Sequence, residues 1–146
     1  MSEPVPRSIW ALALIGMLGF PISAALFVYG PAPYAERGLH FLLAWSAVMM
    51  GFLGGVRWSL ESSRAIPRAL RLGVAILPPL VGCGLLLARD FLELDWSLGG
   101  YLAAFLVAWL FDQVPETPSR FPRLMTILTF MACIGLAMAL EKALRM

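Results

Sequence analysis

Residues 39–59 read Leu-His-Phe-Leu-Leu-Ala-Trp-Ser-Ala-Val-Met-Met-Gly-Phe-Leu-Gly-Gly-Val-Arg-Trp-Ser. A bilayer core of ~30 Å needs about 20 apolar residues in one α-helix, and this stretch supplies them. Its single arginine, Arg57, sits close to one end, and its only histidine, His40, sits at the other. Four further apolar runs flank it, at residues 9–29, 72–88, 98–111 and 124–140. The first and last match a full span. The third is near the short limit, and the fourth reaches it only if Leu94, Trp96 and Val114 are counted in. The pattern predicts an all-α, polytopic membrane helix bundle of about five transmembrane helices. A re-entrant fourth segment is the alternative.

Composition agrees. Of the 146 residues, 60% are hydrophobic and only 14% charged, with a mean hydropathy of +0.82. Soluble domains carry about 25% charged residues because a core must be covered by a solvated shell. This chain cannot build that shell, so residues 1–146 are expected to form a single integral membrane domain. The first apolar run is longer than the roughly 7–15 residues of a signal-peptide core and is followed by no clean cleavage site, so it is expected to be a spanning helix. Net charge is only +2, and no basic tract runs along the chain, which argues against nucleic acid as a partner.

With the N-terminus on side one, that side receives Arg7, then Arg64, Arg68 and Arg71, then Arg120 and Arg123. The opposite side receives Arg37, Arg89, Lys142 and Arg145, together with the acidic loop around Asp90, Glu93 and Asp95. The short basic loop at 61–71 is the strongest part of this asymmetry, and it predicts N-in, C-out. Trp10, Tyr29, Tyr34, Trp58, Trp96 and Tyr101 lie near predicted helix ends, where amphipathic rings favour the headgroup level. Pro21 and the pair Pro78-Pro79 fall inside helices one and three. Each removes a backbone donor that neighbouring groups in a bundle must make good.

Two small-residue stripes are expected to pack. Helix two carries Ala47, Gly51, Gly55 and Ser59 at i,i+4 spacing, and helix four carries Gly100, Ala104 and Ala108. Such stripes let backbones approach closely where lipid removes the hydrophobic drive between helices. The expectation is that helices two and four pack against each other, or against the small faces Gly19/Ser23 and Gly135/Ala139 of helices one and five. Homodimerisation through Gly51-xxx-Gly55 is the alternative. Arg57 lies ~200° around the helix from Gly55 and shares a face with Gly54 and Glu61 instead. Charge inside a membrane helix is costly and seeks a partner. Asp112, ending helix four on the same side, is the expected one, with Glu61 and Arg123 extending the cluster.

Catalytic signatures are absent from the sequence. One histidine cannot supply a bis-histidine haem or a histidine–carboxylate metal cluster, and no serine has a base at a recognisable spacing. Cys83 and Cys133 are expected to be packing residues, and Ser23, Thr126 and Thr129 to make interhelical or i−4 backbone bonds. No cofactor or metal is expected.

The stretch Gly51-Phe-Leu-Gly54-Gly55-Val-Arg57-Trp58, with Gly19-Phe20-Pro21, Leu77-Pro78-Pro79, Asp112 and Arg123-Leu-Met-Thr126, resembles a family. It is the small bacterial inner-membrane family catalogued as domain of unknown function 3429, related to mitochondrial transmembrane protein 69. The resemblance spans almost the whole chain, with Ser59 standing where the family pattern has a glycine. It implies five helices and an inner-membrane setting, and it implies no activity. Taken with the missing catalytic constellation, the expected function is a non-enzymatic accessory subunit or assembly factor of a larger membrane complex, respiratory or photosynthetic. The alternative is a small transporter, or a bundle binding a lipid headgroup or anion through Arg57, Glu61 and Asp112. An enzyme of lipid or quinone chemistry, which can escape motif detection, ranks third.

Overall fold

The computed structural model describes residues 6–112 and 122–146, the side chains of Asp112 and Pro122 excepted. Five α-helices follow one another: α1 (Arg7–Tyr29), α2 (Tyr34–Ser62), α3 (Ala69–Leu87), α4 (Leu94–Asp112) and α5 (Pro122–Arg145), with a short 3-10 turn at Ala88–Asp90 between α3 and α4. Among the described residues there is no strand. All five helices are long and apolar enough to cross a membrane. The fourth is one continuous helix of 19 residues, about 28 Å at 1.5 Å per residue, so it is a spanning helix in its own right. At 29 residues, α2 runs about 43 Å and is longer than a ~30 Å core.

Of the neighbours expected for the two small-residue helices, α2 on α1 and α4 on α5 are found, and α2 on α4 is not. α2 packs mainly on α1 and α3, α4 packs on α5, and α5 closes the ring against α1; α2 and α4 touch only sparsely. The centre is filled from four helices by Phe20, Leu42, Met50, Tyr101, Phe105 and Leu136, all essentially inaccessible. Phe20 of α1 and Phe105 of α4 meet edge to face across it, with centroids 5.6 Å apart. Outward-facing positions are also apolar, among them Leu12, Ile15, Val48, Leu80 and Phe130. An apolar outside around an apolar inside is the surface that lipid, not water, covers.

Close approach is achieved at glycines other than Gly51 and Gly55. A Cβ placed on Gly54 would lie 2.4 Å from Pro79 Cδ and 2.7 Å from the Ala75 carbonyl oxygen, whereas one on Gly51 or Gly55 would meet nothing within 4 Å. The reason is local chemistry. Pro79 has no N–H, so the Ala75 carbonyl loses its helical donor, and α3 fits its proline ring and that carbonyl against the notch that Gly54 leaves on α2. Gly135 of α5 meets the backbone of Phe20 in α1, and Gly100 of α4 meets the flexible Leu85 side chain of α3.

Three buried hydroxyls bond back to their own helix, as short polar groups do in an apolar interior, whereas the buried Ser97 hydroxyl has no hydrogen-bond partner among the described residues. Ser46 donates to the Leu42 carbonyl at 2.8 Å, Thr129 to Met125 at 2.9 Å and Ser23 to Phe20 at 3.1 Å. Thr126 instead accepts the Trp109 indole N–H at 3.2 Å, which joins α5 to α4.

Candidate functional site

The last three turns of α2 carry the polar groups that the membrane edge must accommodate. Arg57 is half-buried and donates from a guanidinium nitrogen to the backbone carbonyl of Ala108 in α4. That carbonyl lies one turn from the end of α4, where the helix dipole presents its negative pole, so a cation is favoured there. The contact falls where α2 and α4 otherwise barely touch. Ala108 is itself buried and small, which allows the long arginine to reach the backbone. The small stripe on α4 therefore contributes to the site: Gly100 receives Leu85, Ala104 is half-buried, and Ala108 supplies the acceptor.

Glu61 stands one turn further along the same face and is buried. Its two carboxylate oxygens are occupied by the turn that follows. Oε1 accepts the Arg68 backbone N–H at 2.9 Å and Arg68 Nε at 3.1 Å, while Oε2 accepts Arg68 Nη2 at 3.4 Å. Arg64 Nε approaches Oε2 at 3.4 Å, at i+3 spacing. A carboxylate holding both the backbone and the fork of an arginine is a strong, oriented arrangement. It folds the α2–α3 turn back on the helix end and sets where α3 begins.

Arg57 and Glu61, the two members of the expected cluster on α2, serve two joints. Arg57 ties α2 to the α4 backbone, and Glu61 ties α2 to the entrance of α3 through Arg64 and Arg68, two partners not singled out for it from sequence. The i+3 spacing was a legible signal for Arg64, whereas Arg68 comes into reach only through the turn. Asp112 closes the backbone of α4 on this side, but its side chain lies outside the described residues, as does Arg120. Arg123 opens α5 and is exposed.

The opposite end holds a joint that sequence reasoning missed altogether. Lys142, in the last turns of α5, donates its ammonium to the carbonyl of Phe27 near the end of α1 and sits 4.5 Å from the Phe27 ring centroid. It caps a helix C-terminus and makes a cation–π contact at once. Trp45 is a second omission. Its indole N–H donates to the Gly16 carbonyl at 2.9 Å, its ring lies over Gly19, and Phe41 stacks on it. Tyr101 is a third: rather than marking the membrane surface, it is fully buried and donates to the Gly82 carbonyl of α3 at 3.0 Å. What each polar group described here does chemically is join one helix, or one turn, to another.

With this geometry in hand, comparison with known proteins gives two findings. The model of a family described as "Protein of unknown function (DUF3429)" matches residues 5–141. Transmembrane protein 69 of Xenopus tropicalis is 31% identical over 139 residues, covering 92% of this chain and 54% of its own length. The chain therefore spans about half the length of that curated relative. No solved structure matches.

Proposed function

We propose, for a chain that belongs to the DUF3429 family and is a multi-pass helical membrane protein, the role of a non-enzymatic accessory subunit or assembly factor. Its place would be beside a larger complex in the inner membrane, respiratory or photosynthetic. The observation that supports this reading is the division of labour among its glycines. Gly54, Gly82, Gly100 and Gly135 are spent on contacts inside the bundle, whereas Gly51 and Gly55 on α2, and Gly73 and Gly84 on α3, open outward with nothing within 4 Å of an added Cβ. A helix interior has no need of glycine for its own stability. On an outer face in lipid, glycine permits another protein's helix to come close.

A ligand-binding bundle centred on Arg57, Glu61 and Asp112 has weaker support, because Arg57 and Glu61 are already engaged in joining helices. The accessory role is tested by tagging the protein, solubilising native membranes gently after in-membrane crosslinking, and identifying what copurifies. The expected result is one larger complex in fixed proportion, lost when Gly51→Leu and Gly55→Leu are introduced together. Recovery of the protein alone, or only as a homo-oligomer, sinks this role.

A further inference from the structure

The turn between α2 and α3 combines two features that a solvated turn has no reason to combine. Ile66 and Leu70 are 84% and 81% exposed, so their side chains pack on almost nothing in the protein. Around them in sequence stand Arg64, Arg68 and Arg71, with no carboxylate between Ser62 and Leu72. Arg64 and Arg68 keep about two-fifths of their side-chain surface accessible even while they engage Glu61. Counted along residues 61–71 of the sequence, three arginines stand against one glutamate, a net +2. The turn also follows directly on two membrane-spanning helices, so its surroundings are the headgroup layer.

We propose that this turn is a docking site for an anionic phospholipid, with Ile66 and Leu70 set into the acyl boundary and the positive charge of Arg64, Arg68 and Arg71 drawing the headgroup phosphate to it. Apolar side chains flanked by basic ones are what an interfacial segment needs. The former gain by burial at the headgroup–acyl boundary, and the latter gain by attraction to anionic lipid. The guanidinium fork matches phosphate oxygens. Glu61 makes the site specific in shape. By holding the Arg68 backbone and fork it fixes the turn before lipid arrives, so little ordering remains to be done on binding.

The far end of the bundle supplies an internal contrast. Phe91, 90% exposed in the turn between α3 and α4, is equally available to lipid. Its neighbours, however, are Asp90 and Glu93, which repel an anionic headgroup. Charge therefore selects the α2–α3 end. The site does not depend on the accessory role, because it takes lipid whether or not a protein partner is bound.

The test is native mass spectrometry of the full chain in mild detergent, with added phosphatidylglycerol or phosphatidylcholine of identical acyl chains. Phosphatidylglycerol is expected to be retained in preference, and excess inorganic phosphate is expected not to displace it. Arg71→Gln should lower that retention about fivefold, the scale of one basic residue at an anionic surface. Arg71→Lys, which keeps the charge, should restore most of it. Leu70→Ser removes no internal packing, so the fold is retained while lipid retention falls; Phe91→Ser at the acidic end leaves retention unchanged. Equal retention of the two lipids overturns the proposal, as does release by inorganic phosphate, which marks a simple anion site. A lysine variant that behaves like the glutamine one overturns it as well.

Discussion

Two faces of the same helix, α2, both carry glycine and differ in use. One carries Gly54, Arg57 and Glu61 and meets in turn the Pro79 notch of α3, the Ala108 carbonyl of α4, and the arginines of the α2–α3 turn. The other carries Gly51 and Gly55, beside the exposed Val48 and Phe52, and a Cβ added at either glycine would meet nothing within 4 Å. The Gly51 and Gly55 steps of the i,i+4 ladder thus mark an outer face, while its Ala47 step lies against Gly82 of α3 and the less regular face does most of the internal packing. In water the ladder would have been sorted inward by the hydrophobic effect. In lipid both faces are comfortable, and only shape and unpaired polar groups decide which one is enclosed.

The sharpest way to break this contrast is steric. Gly54→Leu forces a side chain into Pro79 and the Ala75 carbonyl, and the backbone on both sides has little room to yield. It should destabilise the bundle by about 3 kcal/mol, at the upper end of ordinary overpacking, as measured by unfolding in mixed micelles. A cost within experimental error would show that α3 does not lean on that notch. Next comes Arg57→Leu, which removes a charged hydrogen bond from the Ala108 carbonyl. A loss of about 2 kcal/mol is expected, accompanied by easier crosslinking between introduced cysteines on α2 and α5 as α4 drifts away. Unchanged stability would mean that Arg57 is held by headgroups and the α4 contact contributes little. The smallest effect belongs to the open face. Gly51→Ala and Gly55→Ala should change the stability of the isolated protein by no more than about 0.5–1 kcal/mol, and in the stabilising direction, because alanine removes glycine's backbone entropy from a helix. Destabilisation there would show that the face is in fact covered within one protomer.

Much of this was legible in the residues alone. Five apolar runs separated by charged turns read as five helices, since a chain in lipid must satisfy its backbone within each span, and only the short fourth run left a re-entrant segment open. The position of Arg57 relative to Gly54 and Glu61 followed from 100° per residue. That Arg57 would reach the end of α4 was legible too, but the Ala108 carbonyl it donates to there was not, because a backbone acceptor leaves no trace in the sequence. The same holds for Lys142 on the Phe27 carbonyl and Trp45 on that of Gly16. Tyr101 was misplaced for a related reason. Aromatic belts are statistical, and a buried tyrosine needs only one acceptor, which α3 provides at Gly82.

The seating of α5 against α1 also has a consequence in time. Lys142 and Phe27 are 115 residues apart, and a ribosome adding ~5–20 residues per second takes roughly 6–23 s to cover that distance. Throughout that interval α1 and α2 can already be paired through Trp45, while the flank of α1 that will receive Gly135 and Lys142 has no partner from its own chain. The nascent protein is therefore an unfinished ring, with one edge of its first helix in the keeping of lipid or of the insertion machinery until the last helix arrives to close it.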